Sequence, residues 1–207
     1  MRRSMAWIGA AVLALAVTGC GLFSAPVSTK VTPSDVEVLG ATLAQGYLQK
    51  VNPAWWHKVE QLSLLDSQGH SVHLPTNRPV LFFAWWCPHC HAALRALKRD
   101  KDLSHLTFVS MYLNAMPAHG KPALIRTAND AKQITESSLT SLGIHIPSDH
   151  ILYLMPRSAA NSTAMGVPVL VEHTRSGWYA MNGAPSDSTV WQRVLSYAQI
   201  AKGRVDG

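Results

Sequence analysis

The feature that most constrains this chain is the motif Cys87-Pro88-His89-Cys90, which directly follows an apolar run at residues 79–86. A continuous apolar run that ends in such a motif predicts a buried central strand followed by a helix. Pro88 suits the first turn of that helix, because its missing N–H has no intrahelical partner there in any case. Two cysteines at this spacing form a dithiol that can cycle to a disulfide.

The position of the dithiol predicts different roles for its two sulfurs. A thiol at a helix N-terminus faces unpaired backbone N–H groups and the positive end of the helix dipole. Both stabilise a thiolate, which is the nucleophilic form of cysteine. Cys87 is the N-terminal and more exposed member, so we expect it to attack. Cys90 lies one turn into the helix and would resolve the mixed disulfide.

Composition bounds the class of protein. The chain has 207 residues, of which 47% are hydrophobic and 14% are charged, and this suits one globular domain with some extra sequence. Lys and Arg exceed Asp and Glu by 18 to 12, for a formal net charge of +6. Because the basic residues are scattered, without a dense run or interleaved aromatics, the sequence predicts no nucleic-acid partner.

Residues 1–19 have the pattern of an export signal, with a positive start and an apolar segment too short to span a membrane comfortably. This segment ends in Val17-Thr18-Gly19-Cys20, which resembles the lipobox of bacterial lipoproteins. The resemblance implies cleavage before Cys20, lipidation of its sulfur, and an extracytoplasmic protein anchored to a bacterial membrane. The alternative is an ordinary secretory signal that ends near an incidental cysteine.

The cysteine count agrees with lipidation. The chain has three cysteines, so a lipidated Cys20 leaves one pair, Cys87 and Cys90, and no unpaired thiol. A disulfide that closes so short a loop gains little loop entropy, which favours a chemical role for the pair over a structural one. We therefore expect no cofactor beyond the redox-active disulfide itself.

The mature chain divides into three parts. Residues 20–33 are rich in Ser, Thr and Pro and predict a lipidated tether. Residues 34–58 predict a helical N-terminal extension, with a helix from the capping-box pattern at Ser34 to about Lys50, ended by Asn52-Pro53, and with Trp55 and Trp56 packed on the main domain. Residues 59–203 predict the main domain.

The main domain alternates strands and helices. We predict strands at 59–65, 70–74, 80–86, 106–113 and 150–154, a hairpin at 168–173 and 178–181, a loop at 114–129, and helices at 88–99, 130–142 and from Ser186 or Asp187 to about Ala201. This order predicts an α/β fold with one mixed sheet flanked by helices.

These residues resemble those of extracytoplasmic thioredoxin-fold proteins over about residues 59–201. The dithiol in its strand-to-helix context carries the resemblance, together with the hairpin at 62–74, which is similar to the TlpA/ResA branch. Gly166-Val167-Pro168-Val169 stands where the family has its cis-proline. The resemblance implies a thioredoxin-like fold with an N-terminal extension, and a protein thiol–disulfide oxidoreductase.

The resemblance also implies roles for single residues. Pro168 would be cis, which leaves the backbone of Val167 to pair with an extended substrate segment. Trp86 would wall the site and contact substrate. One departure is Leu81, which occupies the position where many members have a polar or acidic proton relay. Glu60, Asp66 and Glu136 are candidate substitutes.

The direction of the reaction is open at this point. The dipeptide between the cysteines resembles DsbA-type oxidants, in which His89 would stabilise the Cys87 thiolate and make the disulfide more oxidising. The body resembles TlpA/ResA-like proteins, which more often reduce disulfides, for example in cytochrome c maturation. We favour the oxidising direction, with exported proteins as substrates and a membrane redox partner that recycles the dithiol.

Two other classes of function use the same residues. Cys87 to His91 matches C-x-x-C-H, the c-type haem attachment pattern, with His91 and either Met111 or Met116 as axial ligands. The preceding buried strand argues against a small, mostly helical cytochrome. A copper or zinc module would use Cys87, Cys90 and His91, but the spacing of the other histidines supplies no obvious fourth ligand.

Overall fold

The computed structural model describes residues 47–99, 102–114, 124–156, 165–174, 177–185 and 187–201. The predicted export signal, the predicted lipidation site Cys20, the predicted tether and Met116 lie outside these residues. None of the helices within the described ranges combines the length and the hydrophobicity needed to cross a bilayer.

Eight strands and four α-helices make up the described chain. The strands are β1 (Gln49–Lys50), β2 (Leu64–Leu65), β3 (Ser71–Val72), β4 (Val80–Phe83), β5 (Thr107–Ser110), β6 (Ile151–Tyr153), β7 (Val169–Thr174) and β8 (Gly177–Asn182). The helices are α1 (Pro53–Glu60), α2 (Pro88–Arg99), α3 (Ala128–Ser141) and α4 (Ser188–Ala201), and two 3-10 turns cover Asp102–His105 and Ser148–His150.

The strands form one mixed sheet in the order β1-β8-β7-β4-β5-β6-β2-β3. Strands β4, β5 and β6 run parallel, whereas β7 is antiparallel to β4 and β8 is antiparallel to β7. Helix α2 connects the parallel pair β4 and β5, and α4 follows the hairpin of β7 and β8. This arrangement is a thioredoxin-like fold, which confirms the predicted fold class.

Both faces of the sheet are covered. Helices α2, α3 and α4 pack on one face around Leu81, Phe83 and Phe108. Helix α1 and the β2–β3 hairpin pack on the other face around Val80 and Phe82. Every residue of β4 and β5 is buried, as the apolar run in the sequence predicts for central strands.

The N-terminal extension differs from its prediction. Gln49 and Lys50 form β1 beside β8 and are not helical, while residues 34–46 lie outside the described chain. Asn52 caps α1 by accepting from the Ala54 N–H, and Pro53 is its first residue, so this pair begins a helix instead of ending one. Helix α1 continues to Glu60, and residues 59–60 are therefore not the start of a strand.

Other predictions are confirmed with small shifts. Helix α2 has the predicted bounds, the terminal hairpin is present, and the Asp187 carboxylate caps α4 by accepting from the Thr189 N–H at 2.8 Å. Helix α3 begins two residues earlier than predicted because Thr127 and Asp130 form a capping box. Trp56 packs against the main domain as expected, stacked on Trp178 with ring centroids 3.6 Å apart.

Candidate active site

Strand direction brings four segments together at the end of the sheet where the chain leaves β4 and β5. The parallel strands β4 and β5 end there, and the antiparallel strand β7 begins there. Residues 84–87 after β4, 111–114 after β5 and 165–168 before β7 therefore lie close together at this end of the sheet. Gly183, after β8, joins them by donating its N–H to the Pro168 carbonyl at 2.9 Å.

The dithiol lies where β4 turns into α2. The Cys87 N–H donates to the Ala84 carbonyl at 3.1 Å, which closes the turn and places Cys87 directly before the helix. Cys87 is 6% exposed and Cys90 is fully buried, while Pro88 and His89 are exposed. Both cysteines are free thiols in this structure.

The surroundings of Cys87 stabilise its thiolate. A hydrogen bond from the Cys90 thiol is the largest cause that lowers the pKa of Cys87, from an ordinary value of 9.0 to about 6. The backbone N–H groups of Cys90 and His89 and the charge of His89 act in the same direction, against the effect of burial. The helix N-terminus and His89 thus contribute, but the partner thiol contributes most.

The same contact has the opposite effect on Cys90. Its hydrogen bond to the Cys87 sulfur favours the protonated form, and burial adds to this, so the pKa of Cys90 is raised far above the ordinary value. The Ala84 N–H, which donates to the Cys90 sulfur at 3.4 Å, offsets this rise only in part. Near neutral pH the pair is therefore one thiolate, Cys87, and one thiol, Cys90.

Val167 and Pro168 lie beside the nucleophile. The Val167–Pro168 peptide bond is cis, which confirms the geometry implied by the resemblance. In its protonated form the Cys87 thiol donates to the Val167 carbonyl across 3.7 Å. The backbone of this segment is thus within reach of anything bound to the Cys87 sulfur.

Two tryptophans fix the turn before the dithiol. The indole N–H of Trp86 donates to the Tyr112 carbonyl at 3.0 Å, and that of Trp85 donates to the Leu113 carbonyl at 3.1 Å. Both carbonyls belong to the segment after β5. Each ring is half-buried, so Trp86 both anchors the turn and leaves part of its surface open beside Cys87.

The carbonyl of Trp85 is held from two other elements. It accepts from Nε2 of His91 at 2.7 Å and from the Ser138 hydroxyl at 2.7 Å, which ties α2 and α3 to the turn. The His91 ring nitrogen must carry its proton to make this contact. This group borders an open cavity of about 370 Å³, lined by Trp85, Trp86, His91, Ile134, Ser137, Ser138 and Ser141.

The engagement of His91 bears on the haem and metal alternatives. A proton-bearing Nε2 that donates to a backbone carbonyl cannot at the same time coordinate iron or copper. Within the described ranges, no three His, Cys, Asp or Glu side chains converge in a way that could hold a metal ion. In this structure Nε2 of His91 is therefore engaged by the backbone of the protein itself.

No described carboxylate replaces the absent proton relay at the dithiol. Leu81 is fully buried and pairs with Leu170 of β7. The carboxylate of Glu60 accepts from Trp56, and that of Asp66 accepts from backbone N–H groups within its own turn. Glu136 lies near Lys132 on α3, at 4.0 Å.

A fully buried carboxylate, Glu172, was not singled out from the sequence. It lies on β7 beyond the pair Val171 and Val80, and Val80 is the first residue of β4. Because the dithiol follows the last residue of β4, Glu172 lies toward the opposite end of the strand from Cys87. It is therefore not placed to exchange protons with Cys90.

The sequence prediction missed Tyr112, His91 as a backbone donor, and Ser138. Tyr112 has a left-handed backbone with φ of 53°, and its hydroxyl bonds to the backbone of Met165. The apolar run at 106–113 indicated a strand, and nothing in that pattern marks its end as a junction between segments.

Known proteins resemble this chain in structure, at low sequence identity. No family model matches this sequence, and no curated protein matches it. Among solved structures, DsbF of Mycobacterium tuberculosis is 17% identical with a TM-score of 0.40, and the comparison covers 68% of this chain and 97% of that one. A thio-disulfide isomerase from Thermus thermophilus is 17% identical with a TM-score of 0.41, covering 66% and 90%. A secreted Mycobacterium tuberculosis disulfide oxidoreductase homologous to Escherichia coli DsbE is 10% identical with a TM-score of 0.41, covering 70% and 98%.

Proposed function

We propose that this protein is a thiol–disulfide oxidoreductase that exchanges disulfides with other proteins through Cys87 and Cys90. The observation that carries the proposal is the geometry of the pair: Cys87 stands directly before the helix with its sulfur beside the Val167 carbonyl, and Cys90 is fully buried one turn further on. The opposite directions in which the pKa values of the two sulfurs are shifted agree with this division of roles. The outer sulfur is a thiolate near neutral pH, and the inner sulfur keeps its proton. A nucleophile and a resolving thiol require this difference.

In the oxidising direction the enzyme begins as the Cys87–Cys90 disulfide. A substrate thiolate attacks the Cys87 sulfur, which forms a substrate–Cys87 disulfide and releases Cys90 as a thiolate that takes up a proton. A second substrate thiolate then attacks the substrate sulfur of this mixed disulfide. The substrate disulfide forms, Cys87 leaves as a thiolate, and two electrons have passed to the enzyme.

The reductive direction uses the same atoms in reverse. The Cys87 thiolate attacks a substrate disulfide and releases one substrate thiolate. Cys90 loses its proton and attacks the Cys87 sulfur, which closes the enzyme disulfide and releases the second substrate thiolate. Cys90 must therefore lose its proton before it can attack. Water or substrate accepts this proton, because no described carboxylate acts on the Cys90 sulfur.

Val167 is suited to hold the substrate chain. Its carbonyl accepts from the Cys87 thiol, and ionisation of Cys87 removes that donor and leaves the carbonyl available. An extended substrate segment can then pair with the backbone before Pro168 in the manner of an added strand. Trp86 bounds the same space and would contact the substrate.

We favour oxidation of exported proteins, with a membrane partner that reoxidises the dithiol. The low pKa of Cys87 supports this direction, because a stabilised thiolate favours the reduced enzyme and makes its disulfide a better oxidant. The export signal and the lipobox-like sequence at Cys20 support an extracytoplasmic, lipid-anchored site of action.

The reduction potential of the purified protein tests the direction. Fluorescence of Trp86, adjacent to Cys87, can be followed across a series of glutathione buffers. A value near about −120 mV is expected for a donor of disulfides. A value at or below about −270 mV would instead make the protein a reductase, with cytochrome c maturation as the leading role.

Single serine substitutions test the assignment of the sulfurs. Cys87→Ser should lose exchange with a disulfide-bonded peptide, because the nucleophile is absent. Cys90→Ser should accumulate the mixed disulfide at Cys87, visible as an added mass that dithiothreitol removes. Full activity of Cys87→Ser would overturn the proposal.

A further inference from the structure

Tyr112 joins the two walls of the dithiol site. Its backbone carbonyl accepts from the indole of Trp86, a residue 26 positions away and adjacent to Cys87. Its side-chain hydroxyl contacts Met165, which is 53 positions away and three residues before the cis-proline. One residue thus contacts both the turn that presents the nucleophile and the segment proposed to hold the substrate.

The contact with Met165 is reciprocal. The Tyr112 hydroxyl donates to the Met165 carbonyl at 2.6 Å and accepts from the Met165 N–H at 3.1 Å. A hydroxyl can serve as donor and acceptor at once, so one side chain satisfies both backbone groups of a buried residue. This fixes the direction in which the chain leaves Met165 toward Val167.

The backbone of Tyr112 is unusual in a way that matches this role. Its φ of 53° lies in the left-handed region, which a bulky aromatic residue adopts only when its surroundings impose it. The turn directs the carbonyl to Trp86 while the ring extends to Met165. Strain of this kind persists where surrounding contacts overcome it, and such positions cluster at functional sites.

We infer that Tyr112 is a positioning residue that sets the Val167 backbone for protein substrates. The inference rests on the proposed function. It predicts a selective effect, because a small disulfide needs only the Cys87 sulfur, whereas a peptide also pairs with the backbone before Pro168. Loosening Met165 should therefore impair the peptide reaction far more than the small-molecule reaction.

The test compares two substrates of the reduced protein. One is a disulfide-bonded peptide of about ten residues, and the other is bis(2-hydroxyethyl) disulfide, which has no peptide groups. Tyr112→Phe keeps the ring and removes the hydroxyl. We expect kcat/KM for the peptide to fall about tenfold, mainly through KM, since two buried backbone groups lose their partner. The small disulfide should react within about twofold of the wild-type rate, because the reacting sulfur is untouched.

Tyr153→Phe is the matched control. Tyr153 is fully buried, and its hydroxyl has no hydrogen-bond partner among the described residues. Removal of this hydroxyl should therefore leave kcat/KM for both substrates unchanged. Amide hydrogen exchange of Met165 gives a second readout: its N–H should be protected in the wild type and exchange faster in Tyr112→Phe. An unprotected Met165 amide in the wild type would count against the inference even if the variant did not fold.

The outcomes separate the two hypotheses. A wild-type protein that reacts with neither substrate rejects the proposed function and this inference with it. A wild-type protein that reacts with both, alongside a Tyr112→Phe variant that loses both equally or loses neither, overturns only the positioning role.

Discussion

At the scale of single residues, the contact between the two thiols does the most to separate their chemistry. One hydrogen bond lowers the pKa of Cys87 and raises that of Cys90, because it is accepted by one sulfur and donated by the other. The dipeptide between the cysteines acts on Cys87 through backbone N–H groups and the charge of His89, and these causes rank below the thiol contact. The tuning of the nucleophile therefore depends first on the presence of its partner.

This ranking gives a prediction for Cys90 variants. Alkylation of Cys87 by iodoacetamide requires the thiolate, so its rate should be low at pH 5 and level off above pH 7 when the pKa is about 6. In Cys90→Ala the donor is lost, and the midpoint of the rate profile should move to higher pH. In Cys90→Ser the hydroxyl can still donate, so the midpoint should lie between the other two.

The measurement is the alkylation rate as a function of pH, followed by mass spectrometry. The wild-type profile needs no correction for Cys90, because this thiol stays protonated and unreactive over this pH range. A Cys90→Ala midpoint equal to that of the wild type would show that the thiol contact is not the main cause. His89 and the helix N-terminus would then take its place.

Whether the sequence predicts the role of a residue depends on whether that role shows in a local motif or only in contacts with distant segments. Cys87 and Cys90 belong to a local pattern with a chemical meaning of its own, and the place of Pro168 beside them was implied by the family resemblance. Tyr112 and Ser138 act through contacts between segments, 53 residues apart for Tyr112 and Met165 as for Ser138 and Trp85. A single sequence carries no local mark of such pairings, and only the fold brings them together.

At the scale of elements, the pair Asn52 and Pro53 illustrates how one signal can have two meanings. Asparagine before proline ends a helix on its N-terminal side and can begin one on its C-terminal side. The choice was settled by burial, because α1 places Trp55, Trp56 and Val59 against the sheet. Strand β1 was missed because its partner β8 lies some 130 residues further along, and two paired residues make no periodic pattern.

Helix α1 should contribute substantially to stability. Trp56 is 4% exposed, stacks on Trp178 of β8 and donates its indole N–H to Glu60. Truncation of a buried tryptophan costs about 3–5 kcal/mol, so Trp56→Ala should lower the free energy of unfolding in urea by that amount. Trp56→Phe should lose less, because it keeps an aromatic ring on Trp178.

Lys58→Ala is the matched control on the same helix. Lys58 is exposed, and its removal should change the free energy of unfolding by less than about 0.5 kcal/mol. If Trp56→Ala also fell within that range, α1 would not be an integral part of the fold. Since Trp56 packs on the face of the sheet opposite α2, the dithiol reaction of the folded variant should stay unchanged.

At the scale of the whole molecule, the sheet separates support from chemistry. Three helices bury one face, and α1 with the β2–β3 hairpin buries the other. The reactive groups lie between these layers, at the end of the sheet where the chain leaves β4. The class of fold could be predicted because buried strands, helices and the dithiol follow each other in the expected order. The lateral extension of the sheet by β1 at one side and by β2 and β3 at the other could not, since it depends on pairing between distant segments.

The proposed anchor can be tested on the whole protein in a bacterial host. Cys20→Ala removes the sulfur that would carry the lipid, and the protein should move from the membrane fraction to the soluble fraction. Acyl chains bind membranes with about 0.8 kcal/mol per buried CH₂, so their loss should release the protein almost completely. Fractionation with immunodetection measures this, and Cys90→Ala, which keeps Cys20, should remain with the membrane. Retention of Cys20→Ala in the membrane fraction would reject lipidation as the anchor.

The two edge strands of the described sheet are very short. Strands β1 and β3, which form the edges, have two residues each. Long open edges are templates on which unfolded chains assemble, and truncated edges suppress that kind of aggregation. The proposed substrates, exported chains that have not yet folded, would bring this hazard to the protein. In the described sheet the outer edges offer such chains little to extend, so the segment beside Cys87 is the place where the proposed strand pairing would occur.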